Sequence, residues 1–170
     1  KRKWRLGGGW QAYTVGWMLM LPFWFALVSL RPSEEDALSL LAVMGLVWIA
    51  DIGAYFCGKA FGKNKLAPAI SPGKSWEGVF GGVLCVLIYL SVVREAGWLG
   101  FDLPWLPTML AGVVLTAVSV CGDLLESWLK RVAGVKDSSN LLPGHGGVFD
   151  RVDSMIAVLS VYAAIVSIAS

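Results

Sequence analysis

The residues best suited to chemistry lie between Ser127 and Asp153, in the segment SWLKRVAGVKDSSNLLPGHGGVFDRVD. This is the longest interval without an apolar run of membrane length, in a chain of which 56% is hydrophobic. It contains the only histidine, His145, within a Pro-Gly-His-Gly-Gly turn whose glycines let backbone approach a ligand closely. A charged, glycine-bearing connection between two apolar helices is where chemistry at a membrane surface would lie. The alternative is an ordinary solvated connection.

Acidic residues at the ends of apolar runs are the next candidates: Asp51, Asp123 and Asp150. An ionisable group at the edge of hydrocarbon costs about 2.5–3.5 kcal/mol, so it is a functional candidate by default, the alternative being an ion pair with a lysine. Four residues of the fourth apolar helix share one face: Asp123, Ser127, Lys130 and Arg131. A similar face opens the fifth helix: Asp150, Asp153 and Ser154. Glu126 and Lys130 are spaced for a local surface pair, worth only about 0.3–0.5 kcal/mol.

Carboxylates on two helices, surrounded by Lys and Arg, are suited to a magnesium-bound phosphate substrate. Mg²⁺ keeps several waters and binds through one or two carboxylates plus substrate phosphates. Arg can hold phosphate oxygens in bidentate fashion. One histidine and no suitably spaced pair of cysteines argue against a zinc site. The polar residues therefore favour metal-assisted phosphoryl or nucleotidyl transfer.

A second candidate site is the loop SPGKSWEG, from Ser71 to Gly78. Ser-Pro-Gly begins a turn, and Lys74 and Ser75 then stand at the start of a helix whose N–H groups would attract phosphate. The alternative is a simple capped helix start, formed by Ser75 and Glu77. The nearby GAYFCGK has the spacing of a phosphate-binding P-loop. It lacks the required Ser or Thr and lies in an apolar run, so we reject that interpretation.

The elements that must position these residues are membrane helices. The mean hydropathy is +0.67, charged residues make up 15% of the chain, and nine tryptophans are present. These values predict an all-α, polytopic membrane protein. About five transmembrane helices are expected: about 10–30, 37–56, 76–93, a fourth ending near 123 and continuing into water through 131, and about 152 to the end. We divide the chain into residues 1–36, a basic cap with the first helix, and residues 37–170, a catalytic transmembrane domain with loops 58–75 and 127–151.

The distribution of positive charge predicts the orientation. Every Lys and Arg except Arg31 and Arg94 falls on one side of the predicted helices. By the positive-inside rule, the N-terminus and both long loops are cytoplasmic, and the polar site faces the cytoplasm. Phosphate-binding loops are also rich in Lys and Arg. Cytoplasmic orientation and phosphate binding both place the same two loops together on one face. Since the chain begins at Lys1 without a methionine, we expect it to be part of a longer protein.

The polar segment resembles the CDP-diacylglycerol synthases, also called phosphatidate cytidylyltransferases. Their signature, S-x-x-K-R-x4-K-D-x5-P-x-H-G-G-x-x-D-R-x-D, is present here as Ser127, Lys130, Arg131, Lys136, Asp137, Pro143, His145, Gly146, Gly147, Asp150, Arg151 and Asp153. The stretch DIGAYFCGKAFGKNKLAPAISPGKSWEG, from Asp51 to Gly78, is similar to a second stretch of that family. The resemblance covers the chain from about Asp51 to its end.

The resemblance implies an enzyme that joins CTP and phosphatidic acid into CDP-diacylglycerol and pyrophosphate. It implies Mg²⁺ held by Asp123 and Asp150, with K⁺ at a paired-ion centre, and it is the sole basis for expecting a homodimer. The protein would be integral to the membrane, in the plasma or inner membrane if bacterial, and nucleic acid is not an expected partner. The lipid's acyl chains remain in hydrocarbon, so the site belongs at the cytoplasmic ends of the helices.

Roles for individual residues follow from the same resemblance. Catalytic roles are expected for Asp123, Asp150, Lys130, Arg131, Lys136, Arg151 and His145. Substrate contacts are expected from Ser71, Lys74, Ser75, Glu77, Ser127, Asp51, Asp137, Gly146, Gly147 and Asp153. A phosphate monoester has a second pKa of about 6, so it is already largely dianionic at neutral pH and needs no general base. We therefore assign His145 to a phosphate contact or to organising its loop.

Two other functions remain open. A CTP-dependent kinase acting on a polyprenol or similar membrane alcohol would yield CDP and a phospholipid. A cation channel or transporter lined by Asp51, Asp123 and Asp150 would pass ions without turning over nucleotide. A pore has no need of an HGG loop flanked by Lys and Arg, which places this alternative last.

Overall fold

The computed structural model of the chain describes residues 10–31, 37–99, 104–135, 138, 147 and 149–169. In this part of the chain, five helices and one two-stranded antiparallel sheet form: α1 (Trp10–Ser29), α2 (Ala37–Phe61), β1 (Lys65–Ala67), β2 (Ser71–Ser75), α3 (Trp76–Glu95), α4 (Trp105–Ala133) and α5 (Phe149–Ala169). Five helices form in the predicted order, and among the described residues three of them meet the length and hydropathy of a transmembrane helix. The predicted class, an all-α polytopic membrane protein, is confirmed.

Three of the described helices, α2, α3 and α4, are long and apolar enough to cross a membrane. Helix α1 carries a shorter apolar stretch, Tyr13–Ser29. The core is built where the helices meet, around side chains such as Val47, Val86 and Leu159, all at most 1% exposed. Many large apolar side chains point outward instead, among them Trp24 and Phe80. In a bilayer these outward residues contact lipid, so their exposure fits a membrane protein.

The connection between α2 and α3 differs from its prediction. The sequence predicts a loop from Gly58 in which Pro68 and Pro72 prevent a regular helix, but α2 continues to Phe61 and the rest forms a β-hairpin. Pro68 lies in the turn, which is closed by a hydrogen bond from the Ile70 N–H to the Ala67 carbonyl oxygen. Pro72 lies on a strand of a two-stranded sheet, where a residue without an N–H is tolerated. The prolines therefore bend this connection without preventing strands.

Helices α2 and α3 approach closely through small residues. A methyl group at Gly78 would lie 2.8 Å from the Ala54 carbonyl oxygen, and one at Gly82 would lie 2.9 Å from the Ala50 carbonyl oxygen. Only glycine fits where two helix backbones come this near. The close approach fixes the start of α3, and the hairpin before it, against the middle of α2.

Candidate active site

The two polar loops meet at one end of the helix bundle. Lys74 of β2 reaches α4, where its Nζ lies 2.5 Å from Asp123 Oδ2. The Arg131 Nε, near the end of α4, donates a hydrogen bond to the Ile70 carbonyl oxygen in the hairpin turn, at 3.4 Å. We call this region the polar end: the hairpin, the C-terminal third of α4 and the first turn of α5. The sequence prediction that these loops lie together therefore agrees with the structure.

The SPGKSWEG segment forms a capped helix start. The Ser75 Oγ accepts a hydrogen bond from the Gly78 N–H at 3.2 Å, as expected of an N-cap residue. Glu77 does not complete a capping box; its carboxylate accepts from the Asn64 backbone N–H and from its side-chain Nδ2, the latter at 2.7 Å. The Trp76 N–H donates to the Asn64 carbonyl oxygen. Two of the N–H groups that were predicted to bind phosphate therefore donate to protein acceptors. Glu77 holds the hairpin by binding Asn64 and does not cap the helix.

An ion cluster joins α4 to α5. The Lys130 Nζ lies 2.6 Å from Glu126 Oε2 and 3.0 Å from Asp150 Oδ1. The predicted pair between Glu126 and Lys130 forms, but its predicted place on the surface is wrong, because the Glu126 side chain is only 5% exposed. Burial makes these charges interdependent, since removing one leaves another uncompensated inside the protein.

Asp150 binds both ends of the connection between α4 and α5. Its carboxylate accepts hydrogen bonds from the Ser138 N–H at 3.0 Å and from the Gly147 N–H at 2.7 Å. It also accepts one from Lys130 at 3.0 Å. Both carboxylate oxygens are thus occupied by protein donors, which draw the two ends of the connection towards the first turn of α5.

Three carboxylates form a cluster that could hold a metal ion. One oxygen from each of Asp123, Glu126 and Asp153 lies within 4.8 Å of the other two. Glu126 is 4% exposed, and its Oε1 has no hydrogen-bond partner in the described part of the chain. Mg²⁺ takes oxygen ligands at about 2.0–2.1 Å in an octahedron, so ligand oxygens on opposite sides stand about 4.2 Å apart. The donor type, the spacing and the unpaired buried oxygen all fit Mg²⁺.

Glu126 is the member of this carboxylate triad that the sequence prediction missed. It had been assigned to a surface pair, because its burial depends on the packing of α4 against α5. The signal was nevertheless present, since Glu126 follows Asp123 by three residues and so lies on the same helix face.

The carboxylate triad lies between two cavities. The first, which we call the hairpin cleft, has a volume of about 350 Å³ and lies between α2, α3, α4 and the hairpin. Its polar lining includes Asp51, Ser71, Lys74, Ser75, Ser119 and Asp123. The second, which we call the α1 cleft, has a volume of about 220 Å³ between α1, α4 and α5. Its walls are mainly apolar, but Glu126 and Asp153 line it as well. The triad thus contributes to a cavity with several charged and hydroxyl side chains on one side and to an almost wholly apolar cavity on the other.

The remaining predicted site residues fall into three groups. The Ser127 Oγ donates a hydrogen bond to Asp123 Oδ1 at 3.4 Å, so this serine lies beside the triad, and its contact with substrate stays a prediction. Arg131 contacts the hairpin turn, and the Arg151 side chain is exposed at the start of α5. Four lie outside the described residues: Lys136, Asp137, His145 and Gly146.

The comparison with known families agrees with this geometry. The sequence profile of the Cytidylyltransferase family matches residues 3–169. The chain belongs to this family. The phosphatidate cytidylyltransferase of Pseudomonas aeruginosa is 52% identical over 159 residues, which are 94% of this chain and 58% of that protein. The enzyme of the same name from Haemophilus influenzae is 51% identical over 126 residues, 73% of this chain and 44% of that protein.

A more distant relative, the phosphatidate cytidylyltransferase of Brucella suis, is 40% identical over 163 residues, 91% of this chain and 56% of that protein. The chain therefore spans about half the length of the curated relatives it matches. The family resemblance drawn from the two sequence motifs is confirmed.

Proposed function

We propose that this chain carries the active site of a CTP:phosphatidate cytidylyltransferase, which forms CDP-diacylglycerol and pyrophosphate. One observation carries the proposal: the carboxylate triad lies between a cleft lined in part by charged and hydroxyl side chains and a cleft with almost wholly apolar walls, at one end of a membrane bundle. A reaction between a water-soluble nucleotide and a membrane lipid needs this arrangement, because the substrates arrive from different phases. The names of the relatives support the same choice of substrates.

We place the nucleotide in the hairpin cleft. Lys74 lines this cleft beside Asp123, where its ammonium group can turn from the carboxylate to a phosphate oxygen. The α1 cleft would take the beginning of a lipid acyl chain against Met18, Pro22 and Ile156, with the lipid phosphate towards Glu126 and Asp153. Its volume of about 220 Å³ holds only part of a chain, so the rest would remain in the bilayer.

Asp123, Glu126 and Asp153 would hold Mg²⁺, which when bound would neutralise charge that builds up on the triphosphate. Three carboxylates also leave room for the monovalent cation, K⁺, that the family resemblance implies. The resemblance assigns Asp150 to the metal as well. In the structure Asp150 is held by Lys130 and two backbone N–H groups, so we assign it first to ordering the α4–α5 connection.

The reaction needs positioning more than acid–base chemistry. An oxygen of the lipid phosphate attacks the α-phosphorus of CTP, the bond from that phosphorus to the bridging oxygen of the β-phosphate breaks, and pyrophosphate leaves. The attacking phosphate is largely dianionic at neutral pH, so no proton has to be removed. Lys74 and Lys130 supply positive charge on either side of the triad and reduce repulsion between the two anionic substrates.

The polar end would face the cytoplasm, because the hairpin and the α4–α5 connection hold lysines and arginines that the positive-inside rule assigns there. CTP is expected to reach the site from this side. A homodimer is proposed on the family resemblance alone.

Doubly labelled CTP tests the function. The purified protein in lipid nanodiscs is incubated with Mg²⁺, phosphatidic acid and CTP that carries different phosphorus isotopes at the α and γ positions. We expect the α label in the lipid phase and the γ label in pyrophosphate. A polyprenol added in a parallel reaction tests the kinase alternative, which would transfer the γ label to the lipid. Ion flux in vesicles without label transfer would support the channel alternative.

A further inference from the structure

We propose that Asp51 and Ser119 recognise the base of the nucleotide in the hairpin cleft and set the preference for cytosine over uracil. The inference rests on the proposed function, since it takes a cytidine nucleotide as the substrate. It gives a specific role to two residues of the cleft. Ser119 lies outside both sequence motifs, and Asp51 was predicted to contact substrate without the part of the substrate being named.

The Ser119 hydroxyl differs from other serine and threonine hydroxyls of the helices in its hydrogen bonding. In four other cases, a helical hydroxyl donates to the backbone carbonyl oxygen four residues earlier, at 2.7–3.0 Å: Ser91, Thr108, Thr116 and Ser160. The Ser119 Oγ has no hydrogen-bond partner in the described part of the chain, although the residue is only 1% exposed and lines the hairpin cleft. A buried hydroxyl without a hydrogen-bond partner is energetically unfavourable. A ligand in the cleft that bonds to this hydroxyl offsets that cost.

Asp51 supplies a carboxylate to the same cleft. Among the described residues it has no hydrogen bond and no ion pair, because Lys74, which also lines the cleft, is paired with Asp123. Asp51 is exposed, lines the cleft and has no paired cation among the described residues, so it repels a phosphate and favours a neutral group that donates hydrogen bonds. We therefore place the triphosphate near Lys74 and the triad, where the metal would offset the carboxylate charge, and the base beside Asp51 and Ser119.

Cytosine has the chemistry that these two groups require. Its exocyclic amine donates to a carboxylate, while its ring nitrogen and carbonyl oxygen accept from a hydroxyl. Uracil carries a carbonyl oxygen in place of that amine, and this oxygen would face the Asp51 carboxylate with no proton between them. Tyr55, one helical turn after Asp51, also lines the cleft, and its side chain is 61% exposed. Its ring offers a face on which a base can stack.

A competing role for Asp51 is binding of the metal together with Asp123. The triad of oxygens within 4.8 Å is formed by Asp123, Glu126 and Asp153 in the described residues and does not include Asp51. The two roles predict different results. A base-reading residue changes the ratio between nucleotides, whereas a metal ligand changes the Mg²⁺ concentration that activity requires.

The test compares kcat/KM for CTP and UTP in the wild type, Asp51→Asn and Ser119→Ala. Asn can donate to the uracil oxygen, so we expect Asp51→Asn to lower the preference for CTP over UTP by about 10- to 100-fold. Ser119→Ala should raise KM for CTP about 5- to 10-fold with little change in kcat. The Mg²⁺ concentration for half-maximal activity should stay as in the wild type in both variants. Ser91→Ala, which removes a hydroxyl bonded within α3, is the control and should change none of these values.

Competition between CTP and UTP for binding, measured without lipid, gives a readout that does not depend on turnover. A CTP/UTP ratio within about 2-fold of the wild type in Asp51→Asn, in both binding and kinetics, would overturn the inference. So would a raised Mg²⁺ requirement with an unchanged ratio. If the wild type does not consume CTP at all, the proposed function fails. If the wild type transfers the α label but the ratio does not move, only this inference fails.

Discussion

Replacing Asp123 with Asn is expected to lower turnover by about 10²- to 10³-fold while the helix bundle still folds. Asp123 is a member of the carboxylate triad, its Oδ2 pairs with Lys74, and its Oδ1 lies near the Ser127 hydroxyl. Asn keeps the size of the side chain but removes the anionic ligand that a metal-bound triphosphate requires. The side chain is 32% exposed, and a neutral amide costs less than a carboxylate at a membrane edge, so folding should survive.

Turnover with CTP and the melting temperature in detergent are measured on the same preparation. Glu95→Gln is the control, because it neutralises a carboxylate at the opposite end of α3, where Arg94 lies 4.0 Å away. We expect Glu95→Gln to match the wild type in both measurements. Near-normal turnover in Asp123→Asn would exclude this residue from the reaction centre. A fall in melting temperature with turnover partly retained would instead assign Asp123 to a structural ion pair with Lys74.

Lys130→Met should cause the largest loss of stability, about 3–5 kcal/mol in the free energy of unfolding. Lys130 holds Glu126 and Asp150 together between α4 and α5, and both carboxylates are 10% exposed or less. Without the ammonium group, two buried negative charges face each other with no cation between them. Met retains most of the apolar side-chain length, so the loss reports the missing charge.

Unfolding of the Lys130 variants by denaturant in mixed micelles provides the measurement. The double variant Lys130→Met with Glu126→Gln removes one of the stranded charges, so it should recover part of the lost stability. Lys63→Met, at an exposed position between α2 and β1, is the matched control and should unfold like the wild type. Equal stability of Lys130→Met and the control would show that the cluster contributes nothing to holding α4 against α5.

The helices were predictable because each is a long apolar run, and such runs have few alternatives in a membrane. Their ends were less predictable: α2 continues through Gly58 and Lys59 to Phe61. The hairpin was missed because β1 has only three residues, too few for an alternating pattern, and because the two prolines were used only as evidence against a helix. Its position depends on Glu77 binding Asn64, a contact between residues 13 apart that sequence periodicity does not report.

Much of the candidate site could be predicted from residue types, because acids and lysines are rare near hydrocarbon. The sequence could not predict which acid pairs with which lysine, because this depends on how α4 packs against α5 and on where the hairpin lies. Glu126 was therefore assigned to the surface, and the ion pair of Asp150 with a lysine was foreseen only as the alternative to metal binding. Ser119 gave no signal, because a serine in a membrane helix ordinarily bonds its own backbone.

The most direct test of the account is binding of Mn²⁺, used in place of Mg²⁺ and followed by electron paramagnetic resonance in the presence of CTP. Mn²⁺ favours the same oxygen ligands, and free and bound ions give distinct signals. We expect the wild type to bind Mn²⁺ and Asp123→Asn and Asp153→Asn to lose most of this binding, with Glu95→Gln unchanged. Wild-type Mn²⁺ affinity in both Asp variants would contradict the assignment of the metal to the carboxylate triad.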